Sequence, residues 1–113
     1  PKENLYLNLS SPVIDSGTQF EISGGGYLPN EKLVIDFYNK KIEVQADADG
    51  RFNEILNGPS LKDSSSRNRV TTQSVKNGFD VDNISEKTDV KVSGKDSKLT
   101  YSISLEVKET VLK

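Results

Sequence analysis

The chain of 113 residues contains no cysteine and no histidine. Disulfides, thiolate metal sites and cysteine nucleophiles are therefore excluded, and so are the Ser-His-Asp and Cys-His arrangements of nucleophilic catalysis. Zinc sites built from the usual nitrogen and sulfur ligands are excluded for the same reason. Carboxylate, lysine and tyrosine chemistry remains, but the pattern places no two acids inward at a cleft, as glycosidic cleavage would need. We therefore predict a protein that is not an enzyme, with no catalytic residues and no cofactor.

The chain also lacks a strong net charge and a long apolar run. Fifteen basic and 17 acidic side chains give a net charge of −2, so no strong field draws the protein to nucleic acid or to anionic lipid. No run approaches the roughly 18 apolar residues of a membrane span, and no basic start with an apolar stretch marks a signal peptide. We expect neither nucleic-acid binding nor membrane insertion. The chain begins at Pro1 rather than Met, so we expect one module excised from a longer polypeptide.

Alanine is scarce, and this favours β structure. The chain has two alanines against 17 valines and isoleucines and 14 serines. Branched side chains lose rotamer freedom in helices and pack well on pleated surfaces. Leu, Ile, Val and Phe make up about 27% of the chain, above the roughly 20% associated with disorder. At this length the sequence predicts a single folded domain over residues 1–113.

Alternation of apolar and polar residues predicts the strands. Three such runs between residues 20 and 52 are separated by clusters of Gly, Pro, Asn and Asp, as antiparallel strands joined by tight turns would be. Residues 57–69 are polar and rich in turn formers, which predicts an exposed loop. In the longest alternation, Leu99, Tyr101, Ile103, Leu105 and Val107 are predicted to face inward. Strands are predicted over residues 5–9, 18–23, 32–38, 41–46, 51–56, 70–75, 88–93 and 98–108, with Val13-Ile14 pairing again after an interruption at Pro12 and with Phe79, Val81 and Ile84 anchoring the connection between the sixth and seventh of these runs.

Seven or eight short strands at this spacing predict an all-β fold, an immunoglobulin-like β-sandwich of two antiparallel sheets. Residues 23–31 read Ser-Gly-Gly-Gly-Tyr-Leu-Pro-Asn-Glu, and residues 46–52 read Ala-Asp-Ala-Asp-Gly-Arg-Phe. These segments resemble bacterial immunoglobulin-like repeats of surface and secreted proteins, which often carry Ser-Gly-x-Gly-Phe-x-Pro-Gly-Glu and Ala-Asp-x-x-Gly-x-Phe. Residues 90–107 resemble the last two strands of those repeats. Asn30 stands where the pattern has Gly.

The resemblance implies a structural spacer or adhesion module of a bacterial cell-surface or secreted protein, and hence an extracellular location. Its partners would be neighbouring domains of the same chain and a host or cell-wall protein or glycan. The alternative is a carbohydrate-binding accessory module attached to a secreted enzyme. Because this fold carries no fixed active site, function would lie in the loops or in mechanical linkage.

Four aspartates suggest a calcium site. Asp47 and Asp49, and also Asp80, Asp82 and the neighbouring Asn83, offer oxygen donors at alternate positions, which hard cations favour. The competing interpretation is an ordinary hairpin turn, in which Asp side chains bond the local backbone and Gly adopts positive φ. No Glu closes a twelve-residue calcium loop after Asp47, which favours the turn.

Three tyrosines fall at positions that the core alternation does not require. Tyr6, Tyr27 and Tyr38 could be exposed and stack on sugars, and the prediction places ligand binding on Tyr27 and Tyr38.

Asp36 is the only acid inside a strongly apolar run, so it is the candidate for an isopeptide cross-link to lysine, against the simpler interpretation that it faces outward. The triple glycine of residues 24–26 resembles a phosphate loop, but a β-branched run follows it where such loops open a helix.

Overall fold

The computed structural model describes residues 5–61 and 69–112, which form nine strands. No α-helix occurs within these two ranges. The prediction of an all-β chain is therefore confirmed. The strands are β1 (Tyr6–Leu9), β2 (Val13–Asp15), β3 (Gln19–Gly25), β4 (Lys32–Phe37), β5 (Lys40–Gln45), β6 (Phe52–Asn57), β7 (Arg69–Lys76), β8 (Phe79–Gly94) and β9 (Thr100–Leu112).

The strands form two sheets that pack face to face as a β-sandwich. The small sheet has the order β1-β3-β6, and the large sheet has the order β2-β9-β8-β4-β5 with β7 also paired to β8. Every pairing is antiparallel except that of β2 with β9, which is parallel and sets Val13 opposite Glu106. The two-sheet prediction is confirmed, while the described residues form nine strands and the large sheet is mixed.

The core lies between the inward faces of the two sheets, where alternate side chains of facing strands meet. Phe20 of the small sheet contacts Phe37 of the large sheet edge to face, with ring centroids 5.3 Å apart. Removing this apolar surface from water is the main stabilising contribution. Side chains with essentially no exposure are those of Ile22, Leu33, Ile35, Leu61, Val90, Val92, Leu105 and Val107.

The first part of the chain divides between the sheets. Pro12 cannot donate to a ladder, and here the chain leaves β3 and joins β9 instead. The Glu106 amide donates to the Pro12 carbonyl at 2.9 Å, and the Ser16 amide donates to the Lys108 carbonyl at 2.7 Å. The interruption at Pro12 and the renewed pairing at Val13-Ile14 agree with the sequence prediction.

Strand β8 extends far beyond the sandwich. Its first half pairs with β7 on one side and with the last part of β9 on the other, from Val81 opposite Leu112 onward. This three-stranded extension makes the molecule long, with extents of 57 × 22 × 18 Å. The radius of gyration is 16.6 Å, against about 13 Å for a compact domain of this length. The predicted break between Ile84 and residue 88 is wrong, because β8 is one continuous strand.

Two apolar residues that the alternation predicted to face inward are not buried, Leu99 just before β9 and Tyr101 within it. Leu99 is 42% exposed and Tyr101 is 46% exposed, whereas Leu105 and Val107 are fully buried. Both residues lie toward the β8–β9 turn, beyond the part of β9 that pairs with β2. Phe79 is also exposed, at 64%, because it lies at the tip of the extension opposite Lys76.

The predicted loop of residues 57–69 lies only partly within the described residues, since 62–68 fall outside them. Its described part is held against the sandwich. Leu61 is fully buried, and its amide donates to the Ser16 hydroxyl at 3.0 Å. Arg69 donates to the Leu61 carbonyl from the start of β7. The prediction of an exposed loop is therefore wrong at Leu61.

Candidate functional site

A buried carboxylate lies at one end of the sandwich. Glu31, just before β4, is 2% exposed. Its Oε1 accepts the Leu28 amide at 3.0 Å, and its Oε2 accepts the amides of Asp96 at 2.8 Å and of Ser97. Burial alone would raise the pKa of Glu31, but the hydrogen bonds, that of Ser97 first, outweigh it and lower the pKa. The side chain thus ties the β3–β4 loop to the β8–β9 turn.

Tyr27 is part of the same end of the core, and the prediction that it is exposed is wrong. It is 5% exposed, its hydroxyl donates to the Val92 carbonyl at 2.9 Å, and its ring meets Phe52 edge to face at 6.1 Å. Burial, followed by the nearby charge of Glu31, raises the pKa of Tyr27 to about 12. Tyr27 therefore joins the two sheets, and little of its surface is exposed.

Tyr38 lies at the opposite end of β4, in the tight turn before β5. Tyr38 and Asn39 have φ of 53° and 63°, the conformation of a two-residue hairpin turn. The Tyr38 ring is half-buried beside Phe37, and its hydroxyl donates to Glu86 at 3.4 Å. Because Tyr27 and Tyr38 lie at the two ends of β4, the structure does not bring them together into one platform.

The Asp47 side chain organises a turn. Its Oδ1 accepts the amides of Asp49 and Arg51, each at 2.9 Å, and these bonds, that from Arg51 first, lower the pKa of Asp47. Gly50 in this turn has a φ of 77°. This is the geometry expected of an ordinary hairpin turn, in which the Asp oxygen accepts hydrogen bonds from the local backbone.

The four aspartates of the calcium hypothesis form two pairs that lie apart. Asp47 and Asp49 are in the β5–β6 turn at the Glu31 end, whereas Asp80 and Asp82 are near the start of β8 in the extension. Asn83 donates to the Ser74 hydroxyl at 2.7 Å and accepts from Thr110. Within residues 5–61 and 69–112, no group of three or more acidic side chains is placed to hold a metal ion. The structure therefore does not bring the predicted ligands together.

Asp36 faces away from the core on the outer side of the large sheet, partly buried. The strand register sets it opposite Lys41 of β5 on one side and Lys91 of β8 on the other. Both lysines are exposed. An isopeptide bond needs its partners buried beside an acid, so this row is instead an alternation of opposite charges across three strands.

The triple glycine has a packing role. Gly24 and Gly25 belong to β3, and a β-carbon on Gly24 would lie 2.5 Å from the Tyr6 carbonyl oxygen and 2.8 Å from Phe52. Gly26 alone adopts positive φ, at 92°. A loop and then strand β4 follow, and no helix N-terminus is formed for a phosphate.

An open depression lies at this end of the molecule, where the small sheet meets the end of β5 and the β5–β6 turn. Its volume is about 380 Å³. Tyr6, 36% exposed, lies at one side, and a β-carbon on Gly25 would come within 2.7 Å of the Tyr6 ring. Ser23, Gly24, Gln45, Asp47, Arg51, Phe52 and Asn53 complete the lining.

Comparison with protein-family models, with curated proteins and with solved structures gave no match. Among the described residues, no helix is long and apolar enough to cross a membrane.

The role of Glu31 was missed by sequence reasoning, which treated it as part of a turn motif. An acid placed directly before a β-branched run was the available signal, but its partners at Asp96 and Ser97 are more than sixty residues away. Nothing in the sequence around Gly25 indicated that the Tyr6 ring lies across it.

Proposed function

We propose that the protein is a non-catalytic spacer or interaction module of a larger extracellular protein. The observation that carries this proposal is the position of the first and last described strands. Strand β1 starts beside the β3–β4 loop, since Tyr6 pairs with Gly25, whereas β9 ends in the extension, where Leu112 pairs with Val81. The described part of the chain therefore starts at one end of a 57 Å molecule and finishes at the other.

The strand pairing supports a load-bearing role. Strands β2 and β9 run parallel, and the outer ends of the chain leave them in opposite directions along the long axis. Tension on the two ends therefore shears this pair, so that its hydrogen bonds, including those from Glu106 and Ser16, resist together. The thirteen-residue ladder between β8 and β9 carries the load onward to Leu112.

The immunoglobulin-like class is also part of the proposal. The first part of the chain divides between the two sheets as β1 and β2. The small sheet contains β1, β3 and β6, and it faces a large sheet that contains the hairpin pairs β4–β5 and β8–β9. This arrangement fits a Greek-key sandwich. Asn30 has a φ of 58° at the position where bacterial surface repeats carry Gly, so it meets the same backbone requirement. Glu31, which those repeats share, is the buried carboxylate. These features support a bacterial cell-surface or secreted origin, with neighbouring domains or a cell-wall or host protein as partners.

Small-angle scattering tests the spacer role. A tandem protein, in which two copies of the chain are joined end to end, is expected to show nearly twice the maximum dimension of one copy, because each copy is entered and left at opposite ends. A single copy is the control. A tandem protein whose maximum dimension stays close to that of one copy, with the two domains folded back on each other, would contradict the proposal.

A further inference from the structure

We infer that the depression beside Tyr6 is a binding site for a neutral sugar. The site does not depend on the spacer role, and it differs from the predicted surface at Tyr27 and Tyr38. The register places Tyr6 and Gly25 on the outer face of the small sheet, since Leu7 and Gly24 face the core. The Tyr6 ring is thus the aromatic surface of the depression.

Gly25 fixes the orientation of the ring. A β-carbon at this position would lie 2.7 Å from Cε1, 2.9 Å from the hydroxyl oxygen and 3.0 Å from Cζ of Tyr6. Any side chain there would push the ring up from the sheet. With glycine, the ring lies across the backbone and keeps 36% of the residue exposed. A pyranose has an apolar C–H face of matching size, which packs on such a ring.

The rim supplies hydrogen bonds of both kinds. The amides of Gln45 and Asn53 can donate and accept, the hydroxyl of Ser23 can do both, and Asp47 accepts while Arg51 donates. Sugar hydroxyls around the ring edge need this mixture. The volume of about 380 Å³ lies within the range of small-molecule sites.

The charges on the rim favour a neutral ligand. Asp47 and Arg51 are the two charged residues of the lining, and Arg51 acts on the Asp47 carboxylate as a neighbouring positive charge. The two opposite charges leave no net attraction for an anion or a cation.

The rim is also held in place before any ligand arrives. Asp47 is fixed by the amides of Asp49 and Arg51, and Gln45 donates to the Asn30 carbonyl at 3.1 Å. Side chains fixed in this way lose little conformational entropy on binding.

The test is a titration followed by backbone amide NMR of the full chain. Maltotriose, cellotriose, mannotriose and chitotriose are each added to about 10 mM, which detects millimolar dissociation constants. At least one is expected to shift the amides of Ser23, Gly25 and Asn53. The Tyr6→Ala variant should bind that sugar at least about tenfold more weakly, since the stacked ring is lost, while Tyr6→Phe should retain binding.

The matched control is Tyr101→Ala, which removes a somewhat more exposed tyrosine from β9 in the other sheet and should leave the affinity unchanged. The same spectra show whether each variant is folded. The inference is overturned if none of the four sugars shifts these amides, or if folded Tyr6→Ala binds as tightly as the natural chain. Neither result bears on the scattering test of the spacer role.

Discussion

Replacing Glu31 by glutamine tests how much the buried carboxylate stabilises the fold. Its two oxygens accept three backbone amides, those of Leu28, Asp96 and Ser97. Glutamine has nearly the same shape, but one oxygen becomes an NH₂ group that cannot accept, so at least one buried amide loses its partner. An unpaired buried donor costs about 1–3 kcal/mol, and the remaining bonds lose their charge assistance. We expect Glu31→Gln to lower the free energy of unfolding by about 2–4 kcal/mol at pH 7.

The pH dependence gives a second readout of the same change. The folded-state pKa of Glu31 is lowered below its ordinary value of 4.5, so its contribution is complete above about pH 4.5. As pH falls below 4.5 and then through the folded-state pKa, protonation removes that contribution. The difference in stability between natural chain and Glu31→Gln should therefore shrink at low pH.

Urea unfolding at pH 7, 5, 4 and 3 measures both effects. Glu21→Gln is the matched control, because this partly buried residue lies on β3 away from the β8–β9 turn, and we expect a change within about 0.5 kcal/mol. The reasoning is refuted if Glu31→Gln is as stable as the natural chain at pH 7. It is also refuted if a stability difference persists unchanged down to pH 3.

Three further predictions concern the same end of the sandwich. Gly50→Ala should destabilise the fold by at least about 2 kcal/mol in urea unfolding, because φ is 77° and a β-carbon would lie 2.1 Å from the Tyr27 carbonyl oxygen; unchanged stability would contradict this. Tyr27→Phe should cost about 1 kcal/mol by removing the bond to Val92, and a neutral result would show that this bond contributes nothing. Calcium should leave the melting temperature unchanged, since Asp47 bonds its own turn, and a rise reversed by chelator would restore the metal hypothesis.

Local alternation was a good guide wherever one face of a strand is covered. Strands β3, β4 and β6 bury alternate side chains as expected, because the second sheet lies over them. In the extension, Val81 is 3% exposed and lies between the exposed Asp80 and the partly buried Asp82, but Asn83 then stands where the next apolar residue would be expected. The alternation stops there, and the sequence predicted a broken connection where β8 continues.

The parallel pairing of β2 with β9 could not be predicted from the sequence, for a different reason. Val13 and Glu106 are far apart in the chain, and nothing in a three-residue strand specifies its register or direction. The burial of Tyr27 was missed for a similar reason. Tyr27 does break the alternation, as the sequence indicated, but it does so because its hydroxyl reaches Val92 inside the sandwich.

Single-molecule force measurement tests the central claim, that the chain is built to carry tension between opposite ends. Since the chain has no cysteine, one introduced at Asp96 provides a unique attachment at the same end as β1. Pulling between the N-terminus and the C-terminus shears β2 against β9, whereas pulling between the N-terminus and residue 96 peels the first strands away bond by bond. We expect a clearly higher unfolding force for the first geometry. Equal forces, or a higher force from residue 96, would contradict it.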